Sequence, residues 1–343
     1  MRMRDHMETI KWLLFRLKNL QLDNVRRNVA FVRADSGKSS VRIFLDMVFC
    51  FLRYGAGYVD YQAYNFINLP SKLRNTYLTR NRCRRFLSEV NCPDYEAYFE
   101  DKIRFNRTFD KYLGRGWIDL SSASDAQIAE FLETHGQIYF LKPADGECGI
   151  GIERIDLREM GSDPYAAAKR LKESGKALLE EALVQHEQMC RLHPESVNCL
   201  RIVTMLDREN KPHLVYAMQK IGLNHRFTDN DSIGTLVDTA REEIASAGWV
   251  YAADGSRCYE THPQLHYQIR GCHIPYLKEA IGLCLEAATV VPEQRYIGWD
   301  VAVCPDGPVL VEGNNTPGCV LSYQHFCGSE RTEGLMTEIE KYL

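Results

Sequence analysis

No stretch of this 343-residue chain is long and apolar enough to read as a membrane span. The strongest run, Ile43–Leu52, has ten residues and contains Asp46, where a span needs about 20 apolar residues. The N-terminus does not read as a secretory signal either. Met1-Arg2-Met3-Arg4 is basic, but the apolar part of Trp12-Leu13-Leu14-Phe15-Arg16-Leu17 is too short and too broken. The twelve cysteines include no CxxC pair and no regular framework. Cys50, Cys199, Cys284 and Cys304 stand in apolar runs, and buried free thiols of that kind fit a reducing cytosol. The ten histidines suggest no zinc site, and His262-Pro263 reads as a turn. A phosphate loop is missing: Ser36-Gly37-Lys38-Ser39 echoes the end of one, but its first glycine would fall at Val32. Repeats and low-complexity tracts are absent. With 45% hydrophobic and 26% charged residues, the expectation is an ordinary soluble, cytoplasmic globular protein.

Excess positive charge is lacking as well. The formal net charge of −4 argues against a general nucleic-acid binder. The balance is uneven, however: residues 1–115 hold 22 Lys/Arg against 12 Asp/Glu, so the remainder is distinctly acidic. Lys72, Arg74, Arg80, Arg82, Arg84 and Arg85 form the densest basic cluster. It suits a solvated helix face, or peripheral contact with an anionic membrane or with polysaccharide machinery.

What is there reads as an α+β chain. Residues 1–95 are mainly helical, with one helical face at Trp12–Leu20 and another helix over Val41–Tyr54 ending at Gly55. A helix near Ile128–Thr134 precedes a strand at Gln137–Lys142, a Gly-rich turn and a strand at Gly151–Asp156. A helix at Pro164–Ser174 and a strand at Ala177–Glu181 follow. Further on, strands are expected at Asn198–Leu206 and His213–Ile221, then one helix at Pro275–Thr289 with Ile281, Leu285 and Ala288 on its apolar face.

The most telling segment is Trp299–Asn315. Two apolar, β-branched runs flank Pro305-Asp306-Gly307-Pro308, the mark of a hairpin. Folding back about Asp306 sets Asp300 roughly opposite Glu312, and period-2 alternation puts Asn314 on the face of Glu312. Carboxylates gathered in an apolar ribbon need a cation or hydrogen-bond partners, and oxygen-only ligands suit Mg²⁺. Lys142-Pro143-Ala144-Asp145-Gly146-Glu147-Cys148-Gly149-Ile150-Gly151 joins two strands. Its glycines, Gly146 and Gly149 among them, let the backbone approach a ligand, and Lys142 adds a charge suited to phosphate. Glu180-Glu181-Ala182-Leu183 leads from a strand into an apolar crossover, where adenine would find a flat slot and backbone hydrogen bonds, and Glu187 could hold ribose hydroxyls. Arg201 is one arginine in an apolar strand. Such a residue is either salt-bridged or a fork for a phosphoryl or carboxylate group.

In this order and spacing the pieces resemble the ATP-grasp superfamily, and more narrowly the sugar-transfer-associated ATP-grasp family, related to α-L-glutamate ligases. The likeness runs from about Gly57-Tyr58-Val59-Asp60-Tyr61, through Phe99-Glu100-Asp101-Lys102, to the end of the chain. It is carried best by Lys142-Pro143 with Gly149-Ile150-Gly151, Glu180–Leu183, Asn198–Arg201, Gly271-Cys272-His273-Ile274-Pro275 and Gly298–Asn314. The resemblance implies two α+β lobes gripping ATP, with a helical basic region at 1–95, a lid lobe at 96–185 and a large lobe at 186–343. Lys102 and Lys142 would take phosphates. Glu180, Glu181 and the Leu183 backbone would take adenine, and Glu187 ribose. Asp300, Glu312 and Asn314 would hold Mg²⁺, and Arg201 would stabilise the transferred phosphoryl group. Asn198, Asn230 and Ser232 are candidate substrate contacts. The segment Asn230–Thr235 has Thr235 where the family pattern has a second glycine, which leaves substrate identity open.

The activity so implied is an ATP- and Mg²⁺-dependent carboxylate–amine ligase. It would form an amide through an acyl phosphate, on a small-molecule or glycan carboxylate and an amine. No general base stands out, although Asp229, Asp238 and His225 have the chemistry. A kinase phosphorylating a hydroxyl on the same scaffold, or a non-catalytic scaffold of glycan assembly, are the alternatives.

Overall fold

The computed structural model describes residues 22–144, 151–223, 232–252, 255–317, 324 and 333–343. The amphipathic segment Trp12–Leu20, Gly146, Gly149, Asn230, His225 and Asp229 lie outside the described residues. The Pro305–Pro308 turn folds as its residues dictate. It joins strand β11 (Tyr296–Cys304) to β12 (Gly307–Asn314), and Asp300 pairs with Glu312 and Gly298 with Asn314. One irregularity was not foreseen: the ladder steps from Asp300–Glu312 to Val301–Leu310, leaving Val311 as an extra residue in a β-bulge.

That hairpin is one end of a large antiparallel sheet. Its other strands are β5 (Leu200–Leu206), β6 (Pro212–Ile221), β7 (Ile233–Asp238), β9 (Gly248–Ala252) and β10 (Gly255–Tyr259), in the order β10-β9-β7-β6-β5-β11-β12, and β8 (Glu243–Ile244) pairs with β7. Alternation gives the sheet two faces. Ile202, Trp299 and Val301 point to one, where Phe99, Phe105, Phe109 and the helix Leu277–Ala287 pack on them. Val203, Met205 and Met218 point to the other, under the helix Arg80–Val90. The Trp299 ring is fully buried, meets Phe109 edge-on at 5.4 Å and donates its Nε1–H to Thr204 Oγ1 at 2.9 Å. Edge-on ring contacts add about 0.5–1.5 kcal/mol beyond area burial, so Trp299 anchors the strand position next to Asp300. Residues 97–113, grouped with the lid lobe by sequence order, therefore pack on the large sheet.

A smaller antiparallel sheet runs β1-β4-β2-β3, from Trp117–Asp119, Leu178–Glu181, Ile138–Lys142 and Glu153–Asp156. The helices Asp125–Thr134 and Pro164–Glu173 cover its inner face through Ile128, Leu132, Ala168 and Leu171, which meet Tyr139, Leu141 and Leu179.

The helix Ser40–Tyr54 ends at Gly55, whose φ of 65° and N–H to the Phe51 carbonyl make the left-handed cap that sequence reading expects there. The helix expected at Pro275–Thr289 is shorter, Leu277–Ala287, because Tyr276 sits at φ 54° and cannot begin it. Its buried stripe is Leu277, Ala280, Cys284 and Ala287, rotated from the expected Ile281 and Leu285, which are half-buried. The basic cluster is also corrected: Arg74 is buried and paired with Asp46 at 2.8 Å, so it belongs to the core of the helical region. Cys50, Cys199 and Cys284 are buried free thiols, while Cys258 is disulfide-bonded.

Candidate active site

On β5, Arg201 shares the sheet face of Val203, and on β11 Asp300 stands directly across the ladder from it. The Arg201 fork donates from Nε to Asp300 Oδ1 at 2.6 Å and from Nη2 to Oδ2 at 2.9 Å. Lys220, at the end of β6, adds a third contact from Nζ to Oδ2 at 3.2 Å. Gly298 makes room for this fork, since a Cβ there would lie 2.5 Å from Pro317 and 3.4 Å from Arg201 Cδ. Burial would raise the Asp300 carboxyl, but the charges of Arg201 and Lys220 hold it well below the ordinary carboxylate range.

Glu312 sits beside Asp300 under different conditions. The surrounding protein desolvates its carboxyl and the Asp300 charge repels it, which together push it above the ordinary range against the pull of Lys220 and Arg201. Its side chain is nonetheless exposed. Glu312 can therefore be reached from solvent. Asn314 Nδ2 donates to Glu312 Oε1 at 3.3 Å, so the three residues expected to share a face do share it.

Does this set fit a hard cation? Its donors are oxygens only, and a carboxylate with a raised pKa beside a second carboxylate is a group that a cation would relieve. The Asn314 amide can turn its oxygen inward, and Asp300, although ion-paired, keeps lone pairs on both oxygens. The residues fit Mg²⁺.

A second charged cluster is built on the small sheet. Glu180 on β4 is buried and accepts Asn106 Nδ2 at 2.7 Å and Arg115 Nη2 at 3.1 Å on Oε1, and Lys142 Nζ on Oε2. Burial opposes its ionisation, but the charges of Arg115 and Lys142 hold the carboxyl far down. Arg115 also donates from Nη1 to the Leu310 carbonyl at 2.7 Å and from Nη2 to that of Val311 at 3.2 Å. It thus caps carbonyls of β12, the edge strand, at the bulge next to Glu312. Its loop runs close to that strand, because Gly114, at φ 57°, lies where a Cβ would come 2.3 Å from Val309.

The remaining candidates divide. The Lys102 N–H donates to the Ala144 carbonyl at 3.2 Å, which sets the first residue of the helix Lys102–Phe109 beside the segment that follows Lys142. Leu183 lies half-buried in the crossover after β4, and its N–H has no hydrogen-bond partner among the described residues. Glu181, on the opposite face of β4 from Glu180, accepts the N–H groups of Gly116 at 2.6 Å and Gly136 at 2.7 Å, so it staples two turns. Glu187 is exposed and ion-paired to Arg191 one helical turn on. Asn198 is corrected to a structural role. Its Nδ2 reaches Gln185 Oε1 and the carbonyls of Met189 and His193 at 2.8–2.9 Å, and its Oδ1 accepts Gly222 N–H at 3.0 Å. That enclosed amide has nothing left to offer a substrate. Ser232 is half-buried just ahead of β7.

Sequence reading missed Lys220, Arg115 and Asn106. Lys220 is a lone cation near the end of the largely apolar strand β6, as Arg201 is near the start of β5, and Arg115 lies between two glycines; both signals were present. The sequence reading that the histidines show no pair four residues apart is corrected: His262 and His266 have that spacing. His262 is buried with Nε2 3.0 Å from the Gly222 carbonyl, and among the described residues no group of three or more His, Cys, Asp or Glu side chains is placed to hold a metal.

Among solved structures, the ADP complex of purK, an N5-carboxyaminoimidazole ribonucleotide synthetase, is 10% identical with a TM-score of 0.43, covering 71% of this chain and 51% of that one. D-alanyl-alanine synthetase A from Vibrio cholerae is 14% identical with a TM-score of 0.40, covering 73% and 62%. The D-cycloserine synthetase DcsG is 14% identical with a TM-score of 0.41, covering 76% and 80%. The chain thus spans less than two thirds of the length of the first two. No curated protein matches. The sequence pattern described as sugar-transfer-associated ATP-grasp matches residues 81–326. That is well over half of the chain, and with the two antiparallel sheets just described it establishes an ATP-grasp fold: the chain belongs to the sugar-transfer-associated ATP-grasp family.

Proposed function

We propose that the protein is an ATP- and Mg²⁺-dependent ligase joining a carboxylate to an amine through an acyl phosphate. The observation that carries this reading is the face of the hairpin. Two carboxylates and an amide, Asp300, Glu312 and Asn314, lie beside two fixed cations, Arg201 and Lys220, with Asp300 buried and Glu312 open to solvent. Bound Mg²⁺ would be held by Asp300, Glu312 and Asn314 and would neutralise nucleotide phosphates. Arg201 and Lys220 are already oriented by Asp300, so they can stabilise charge on a transferred phosphoryl group without reorganising. Lys142 and Lys102 flank the segment leading into the Gly-rich loop and would take phosphates, and the Leu183 N–H would take adenine. The decisive measurement is ADP release across amino acids and uronic acids, with hydroxylamine in place of the amine. ADP with hydroxamate supports the ligase. ADP without hydroxamate, on an alcohol substrate, would assign the scaffold to a kinase.

A further inference from the structure

The helix Ser40–Tyr54 is apolar on both sides. Ile43, Met47, Cys50 and Tyr54 face inward, joined by Phe66 and Tyr77. On the outer side Val41, Phe44, Leu45, Val48, Phe49 and Leu52 form a second stripe at helical spacing, each 41–70% exposed. Nothing else among the described residues exposes so many large apolar side chains on one element, and a contiguous patch of this kind marks an interaction surface. A helix apolar all round is one that expects cover on both faces.

The charges beside the stripe choose the cover. Arg42 and Arg53, three turns apart, border it on one side and are exposed. The only acid of the helix, Asp46, is turned toward Arg74 and Tyr61. On the neighbouring helix Leu22–Ser36, Leu22 and Phe31 are exposed together with Arg26, Arg27 and Arg33. Over residues 22–95 there are 12 Lys/Arg against 6 Asp/Glu. Pairing with a second copy would set arginine against arginine in either orientation, and like charges at an interface are unfavourable. An anionic lipid surface meets both the apolar stripe and its basic border.

We propose that this helix lies in the plane of an anionic membrane, with the Phe44–Leu52 stripe among the acyl chains and Arg42 and Arg53 at the headgroups. Fifteen residues give a rod about 22 Å long, which suits an in-plane anchor, and no described helix is long and apolar enough to cross a membrane. The test is flotation of the whole chain with phosphatidylcholine vesicles, with and without phosphatidylglycerol. Wild type should float with the anionic vesicles and weaken as salt is raised. L45E combined with F49E should lose binding by on the order of tenfold or more. R42A and R53A should each lose roughly fivefold on anionic vesicles and change little on neutral ones. Because all four side chains are exposed, unchanged far-UV circular dichroism will show that loss of binding is not loss of fold. Three results would each overturn the proposal. They are no flotation, flotation unchanged in L45E/F49E, and a concentration-dependent dimer in sedimentation velocity that F49E dissolves, which would give the stripe to a second copy.

Discussion

Glu180 and Asp300 are the same device set in two sheets. Each is a buried carboxylate clamped by two cations and held ionised against desolvation. They differ in what stands next to them. Around Glu180, Asn106 and the Arg115 fork close the cluster, and Glu181 next door is turned to the opposite face. Around Asp300 the cluster stays open, because Glu312 shares its face and reaches solvent. The comparison teaches that ion pairing alone does not mark a site. A buried pair with satisfied hydrogen bonds is architecture; the same pair with a second, solvent-reachable carboxylate at its side is a candidate place for a cation.

The largest expected effects separate the two members of the open cluster. Glu312→Gln should lower ADP release by on the order of a hundredfold or more, with a melting temperature close to that of wild type, because Glu312 supports no ion pair that the fold needs. Asp300→Asn should lose as much activity and also roughly 3 kcal/mol of stability, since Arg201 and Lys220 are left facing each other in a buried place. Equal melting temperatures for the two variants would erase the distinction.

The closed cluster should fail in the opposite way. Arg115→Met removes the cation that joins Glu180 to β12 and should cost about 3 kcal/mol in a urea titration. Lys142→Met leaves Glu180 with Arg115 and Asn106, so it should cost less stability while weakening ATP binding in calorimetry. If Lys142→Met proves the more destabilising, Glu180 is not the closed latch described.

Acid should act on both clusters alike. The carboxyls of Glu180 and Asp300 are depressed from ordinary values of 4.5 and 3.8. The stability they give is therefore complete above those values and is lost as pH falls through the depressed ones. Urea midpoints measured downward from pH 7 should drop steeply below about pH 4, and Glu180→Gln should flatten the drop. A flat wild-type profile would deny the pairs their role.

The smallest effect comes from a buried acid with a weak partner. Asp60 has Arg80 only at 3.8 Å and an Oδ1 with no hydrogen-bond partner among the described residues. Burial pushes its carboxyl up to about 6. With the folded value raised from 3.8, the fold loses stability as pH rises from there to about 6, and the loss is complete above it. Asp60→Asn should then stabilise by on the order of 1 kcal/mol at pH 8 and by less at pH 5; the reverse order would show that the carboxylate is needed.

Much of this was legible in the chain. The hairpin could be read because Pro305-Asp306-Gly307-Pro308 allows few alternatives and the flanking residues alternate. Its bulge could not, because nothing local distinguishes Val311 from Val309. Strands β7 to β10 went unread, since their mixed polar residues carry no clean period. Residues 97–113 were grouped with the wrong sheet because order in the chain does not say which sheet Phe99, Phe105 and Phe109 will cover. Glu180 and Glu181 were both given to adenine, although they lie on opposite faces of β4, one ringed by cations and the other holding turns. Asn198 is next to an apolar strand and polar by type, and its enclosure by Gln185, Met189 and His193 depends on a loop that sequence does not fold.

The bulge at Val311 has a mechanical consequence. Two successive carbonyls, those of Leu310 and Val311, are held by one guanidinium that also holds Glu180. A swing of the small sheet away from the large one must either snap the Arg115–Glu180 contact or tug the strand one residue from Glu312. Arg115 therefore works as a linkage rod with an end in each sheet, beside the second tie that Asn106, on a helix packed against the large sheet, makes to Glu180.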